Sequence, residues 1–110
     1  MAITVHLYYT GEGDSARRFA EEMTASGTVD KIRAEAGNVQ YAYYFPMEDA
    51  HTVLLIDSWA NQQALDAHHA SPMMQTIMTL REKYDLHMRV ERLCSDEDGI
   101  PQKDESFIRK

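Results

Sequence analysis

The segment Thr52-Val53-Leu54-Leu55-Ile56-Asp57-Ser58-Trp59 constrains this chain most. Its run Val53 to Ile56 is aliphatic and partly β-branched, and it does not alternate with polar residues. As a strand it carries apolar side chains on both faces, so a sheet built around it must be covered twice. Three further strands are expected. Ile3 to Tyr9 alternates Ile3, Val5 and Leu7 against Thr4, His6 and Tyr8. Val39 to Phe45 places Val39, Tyr41, Tyr43 and Phe45 on one face, with Ala42 and Tyr44 opposite, and Leu86 to Leu93 alternates Leu86, Met88 and Val90.

Between the strands lie helical patterns. Ala16, Phe19, Ala20 and Met23 recur at helical spacing behind Asp14, and Thr28 is placed to cap a short helix with Val29 and Ile32. Asn61 opens a helix holding Ala64, Leu65 and His68, and Ser71-Pro72 reads as a cap followed by a first-turn proline. The next helix carries Met73, Met74, Ile77, Met78, Leu80 and Tyr84. The order β, α-α, β-β, α-α, β is that of an α+β fold, a ferredoxin-like split βαβ antiparallel sheet. Its helices cover one face only. The second cover must come from outside the chain, and a homodimer packed sheet against sheet is the expectation.

A chain of 110 residues holds one domain. We place it at residues 1–94. Residues 95–110 are a polar tail around Gly99-Ile100-Pro101, with Phe107-Ile108 as its one apolar anchor and the partner subunit as its expected reach. Net charge is -7, with no basic cluster, which disfavours nucleic acid and anionic membrane as partners. A single cysteine, Cys94, and an N-terminus without a basic region lead to the expectation of a cytoplasmic protein.

No cofactor motif appears. Gly11-Glu12-Gly13 lacks the third glycine of a dinucleotide fingerprint, and there is no phosphate loop or nucleophile elbow. The histidines His6, His51, His68, His69 and His87 have no zinc spacing, so neither metal nor cofactor is expected. His68 shares a helix face with Leu65, three residues earlier, which turns it partly toward the core. Spacing alone leaves it either a backbone-bonded structural histidine or a proton acceptor. The parity of His6 is open. It lines the same cavity as His68 if its face meets the helices, and an interface if not. A methionine stripe is more often core than ligand pocket.

Three segments carry a resemblance. Glu35-Ala36-Gly37-Asn38-Val39-Gln40-Tyr41, Val53 to Trp59, and Ala64-Leu65-Asp66-Ala67-His68-His69-Ala70-Ser71-Pro72 resemble the antibiotic biosynthesis monooxygenase family over about the first 93 residues. The resemblance implies a dimeric α/β-barrel. It also implies cofactor-independent monooxygenation of a small aromatic or quinol substrate. On that reading His68 handles the proton, Trp59 forms a wall with an N–H donor, and His6 is a second proton relay. Asn38, Tyr41 and Met74 contact the substrate. The family also contains isomerases of a phosphorylated sugar-like signal, and a non-catalytic small-ligand-binding barrel is a third alternative.

Overall fold

The computed structural model describes all 110 residues, Met1–Lys110. Its elements are β1 (Ile3–Thr10), α1 (Ser15–Ala25), α2 (Thr28–Arg33), β2 (Asn38–Tyr44), β3 (Thr52–Trp59), α3 (Gln62–His69), α4 (Met73–Lys83) and β4 (His87–Cys94). A short 3-10 helix spans Gln102–Phe107. The four strands form one antiparallel sheet in the order β2-β3-β1-β4, the α+β ferredoxin-like arrangement. No helix is long and apolar enough to cross a membrane.

The apolar run of β3 sits in an inner position, paired with β2 on one side and β1 on the other. Val53, Leu55, Asp57 and Trp59 face the helices, together with Ile3, Leu7 and Tyr9 of β1 and Tyr41 of β2, and all of these are buried. Helices α1 and α2 add Ala16, Phe19, Ala20, Met23, Val29 and Ile32, while α4 adds Ile77 and Leu80. Burying a side chain such as Phe19 contributes about 1.5–3 kcal/mol, so this single layer accounts for most of the apolar stabilisation.

The opposite face of the sheet has no helix over it. Leu54 and Ile56 lie there in register with Tyr8 and His6, beside Ala42 and Tyr44 of β2. The Thr4–Ser58 and Thr10–Thr52 hydroxyl pairs, each 2.8 Å apart, stitch its two ends. This face is mixed rather than wholly apolar: polar residues occupy its strand ends, and His6, Arg89 and Glu91 lie midway along it. Strand β4 is exposed along its whole length, since no helix reaches that edge.

Several local expectations change. Asp14 makes no side-chain cap bond, and Gly27 in a left-handed conformation (φ 82°) precedes α2, so Thr28 is its first helical residue. The Asn61 side chain does cap α3, accepting from Ala64 N–H at 2.9 Å. Ser71 does not cap α4: its hydroxyl is buried without a partner and Pro72 is the N-cap. A bulge at Val39 breaks the alternation of β2, so Val39 is exposed while Tyr41 and Tyr43 keep the inner face. The tail is tied to its own domain only at its start, where Ser95 and Ala2 exchange hydrogen bonds of 3.0 Å, and its apolar pair stays undocked, with Phe107 86% exposed.

Gly37 fixes how α3 approaches the sheet. It takes φ 82°, and a Cβ built there would lie 2.5 Å from the Ala64 Cβ. Its carbonyl accepts from Ala60 N–H at 2.8 Å, which holds the start of β2 beside the end of β3. Only glycine satisfies both the backbone angle and the close approach. The consequence is that α3 lies directly over the Trp59 end of the sheet.

Candidate active site

Asp57 and Trp59 are two residues apart on β3, so both side chains rise toward the helices. The Trp59 indole N–H donates to Asp57 Oδ1 at 2.5 Å, and Trp59 is fully buried. One turn after Leu65, His68 comes down over this pair. Its imidazole stacks on the indole with centroids 4.7 Å apart and planes 24° apart. The Tyr41 ring meets His68 edge-on at 6.1 Å. His68 Nδ1 lies 2.7 Å from Glu35 Oε2, which arrives from the turn before Gly37. A carboxylate oxygen can only accept, so the bond assigns the proton to Nδ1 and leaves Nε2 as the basic nitrogen of the neutral ring.

This cluster forms one end of a cavity of about 330 Å³ between the sheet and the helices. Val5, Leu7, Leu55 and Val90 make its floor, and Leu65, Met74 and Ile77 its roof. Polar groups enter at the ends: Tyr41, Asp57, His68 and His69 at one, Arg81 and Arg92 elsewhere on the lining. The cavity is open along β4, where Met88 and Val90 are 39% and 52% exposed. A second hollow of about 340 Å³ lies along the sheet's other face, lined by Tyr8, Thr52 and Arg89 among others, away from His68.

Burial decides the electrostatics. It pushes the Asp57 carboxyl above its ordinary range, opposed in part by the Trp59 N–H and the nearby His68. Burial likewise holds Tyr41 well above the usual phenol range. Tyr9 is raised by burial as well, despite the Arg81 guanidinium, whose Nε and Nη2 donate to Tyr9 Oη at 3.1 and 2.8 Å.

Of the residues singled out from the sequence, His68, Tyr41 and Met74 line this cavity together. Trp59 lies behind His68 rather than on the cavity wall, and its N–H is already engaged by Asp57. His6 points to the opposite face of the sheet, where its Nδ1 is 3.8 Å from Glu91 Oε1. It cannot relay protons to His68 within one chain, because the sheet stands between them. Asn38 lies at the sheet's outer edge, donating to Gln40 O at 3.4 Å, on a separate hollow with Arg33 and Val39. Sequence reading did not find Glu35, Asp57 or Arg92 as site groups. The Asp57-x-Trp59 spacing was a usable signal for one strand face; nothing local connects Glu35 to a histidine 33 residues later.

Fold and site together define a small α+β ferredoxin-like protein with a ligand-sized cavity that has His68 at one end, backed by the Glu35 carboxylate and the Trp59 indole. Known structures share this fold. A conserved protein from Methanosarcina mazei matches with TM-score 0.74 at 18% identity, over 87% of this chain and 94% of its own. A protein from Pseudomonas aeruginosa matches with TM-score 0.72 at 24% identity, over 86% and 93%. A variant of SnoaB, a cofactor-independent oxygenase from Streptomyces nogalater, matches with TM-score 0.72 at 16% identity, over 87% and 94%. At these identities the likeness is one of fold. No curated protein matches the chain by sequence. The sequence pattern of the antibiotic biosynthesis monooxygenase family does match, over residues 2–80, and the chain belongs to that family.

Proposed function

We infer that the protein is a cofactor-independent monooxygenase of a small aromatic or quinol substrate. One observation carries this reading: the Glu35–His68 pair, 2.7 Å apart, stands at the end of a mainly apolar cavity of about 330 Å³. Family membership and the shared fold with a cofactor-independent oxygenase support it.

The chemistry follows from the geometry. His68 Nε2 accepts a proton from a phenol or from an acidic C–H flanked by aryl rings. Glu35 holds the imidazole orientation and stabilises the imidazolium that forms. The substrate anion is delocalised, and it gives electrons directly to O2. For an aryl-flanked methylene, one oxygen atom remains as a carbonyl and the other leaves as water with the two hydrogens removed. The apolar floor and roof keep solvent from the reactive anion.

The reading extends to a cytoplasmic homodimer. Leu54, Ile56 and Tyr44 lie on a sheet face that no helix of the chain covers, which suits a second copy. Oxygen uptake with hydroquinones and anthrones, comparing the native protein with His68→Ala, tests the oxygenase. The expected result is a loss of about 10²–10⁴-fold on substitution, the range for a positioned acid–base group. Unchanged turnover in His68→Ala removes the role of His68. Turnover that persists without O2 replaces the oxygenase with an isomerase.

A further inference from the structure

Two arginines on the cavity lining have no acidic partner. The chain has 18 acidic and 11 basic residues, yet neither Arg81 nor Arg92 takes part in any of its ion pairs. The one carboxylate on the lining, Asp57, accepts from the Trp59 indole. Arg81 is partly buried and held by two hydrogen bonds to Tyr9 Oη, which fix its plane before any ligand arrives. A guanidinium has five N–H donors, so about three remain free. Arg92 rises from β4 in register with Val5, which in turn is in register with Asp57. It lies two strand spacings from Asp57, roughly 10 Å. From there it donates to Gln62 on α3, across the open side of the cavity.

We propose that Arg81 binds an anionic group of the ligand, with Arg92 at the open edge adding positive potential rather than a direct contact, so that the substrate is an aryl carboxylate rather than a neutral aromatic. A planar fork of N–H donors in a partly dehydrated site matches a carboxylate with two charge-assisted bonds at once and gains less from a neutral ring. The apolar floor between the two arginines takes the aromatic body. The proposal rests on the oxygenase reading of this cavity and names its substrate class. It also accounts for Arg81 being pinned by a tyrosine. A phenol orients the guanidinium without neutralising it.

Binding measured by calorimetry tests it, with 1-hydroxy-2-naphthoate and its methyl ester as probes. The native protein is expected to bind the acid at least about ten-fold more tightly than the ester, as charged hydrogen bonds imply. Acid affinity is expected to fall with added salt while ester affinity does not. Arg81→Gln is expected to erase the preference, Arg81→Lys to keep part of it, and Arg92→Gln to reduce it. Should Arg81→Gln fail to fold, the salt dependence and the exposed Arg92→Gln still decide. Equal binding of acid and ester overturns the proposal, as does absence of acid binding at millimolar concentration. Tighter binding of ribose 5-phosphate than of the acid overturns the aryl class. Binding is read without turnover, so an acid preference in a protein that consumes no oxygen leaves this proposal standing and removes the oxygenase. Oxygen uptake with neutral quinols and no acid preference does the reverse.

Discussion

The His68 imidazole lies flat on the Trp59 indole, 4.7 Å between centroids, while its Nδ1 is held 2.7 Å from Glu35. One face and one nitrogen of the ring are thereby fixed, and a single nitrogen is left for chemistry. The indole also keeps its own N–H on Asp57, so it acts as a platform for the histidine rather than as a ligand donor. The stack depends on α3 crossing the sheet end closely, which Gly37 permits.

Glu35 orients the proper tautomer of His68 in this arrangement. Glu35→Gln keeps an acceptor but removes the charge that stabilises imidazolium. Turnover of the substrate found by oxygen uptake is expected to fall by about 10–100-fold, with KM little changed, because orienting and charge stabilisation act in the transition state. Unchanged turnover, or a change confined to KM, counts against the positioning role.

Asp57 gives a pH-dependent stability. Burial raises its folded pKa above the ordinary 3.8, so the folded state holds the proton more tightly than the unfolded state. The contribution of Asp57 to stability is therefore most favourable below that value and is lost as pH rises through the folded pKa. Asp57→Asn removes this term while Asn can still accept from the indole. Urea denaturation from pH 4 to pH 7 is expected to show the variant gaining on the native protein as pH increases. A pH-independent difference rules this out.

Gly37→Ala and Gly27→Ala separate backbone strain from collision. Both glycines have φ 82°, but only at Gly37 does an added Cβ meet another atom, Ala64 Cβ at 2.5 Å. Gly27→Ala is expected to cost about 1–2 kcal/mol, the left-handed penalty alone. Gly37→Ala is expected to cost about 1–3 kcal/mol more, as overpacking does, and to weaken ligand binding by displacing α3. Equal losses in chemical denaturation mean that α3 yields freely.

The uncovered sheet face predicts self-association. Leu54→Asp places a charge at its centre and is expected to convert a dimer to a monomer in sedimentation, without altering the helix-side core. His6 shares that face, so His6→Ala is expected to leave turnover by the monomeric unit within about two-fold, as distant sites act independently. A native protein that sediments at 12.6 kDa removes the dimer.

The four strands, their antiparallel α+β arrangement and the position of His68 toward the core were all legible in the residues. Alternation and helical spacing are local patterns, and the turns between them are marked by Gly11, Gly37-Asn38, Pro46 and Ser71-Pro72. The limits of that reading are equally specific. The bulge at Val39 shifts the phase of β2 by one residue, which no alternation count reveals. The parity of β1, and with it the side on which His6 lies, depends on which face the helices choose.

The sequence by itself determined that a strand as apolar as Val53 to Ile56 lies within a sheet, and that an imidazole and an indole stand near one end of it. Tertiary structure alone decided their partners. Glu35 reaches His68, Arg81 reaches Tyr9 and Arg92 reaches Gln62 across 33, 72 and 30 residues respectively. Such pairs are made by the way helices dock on strands. Local propensity has a range of a few residues, and packing joins side chains regardless of their separation along the chain.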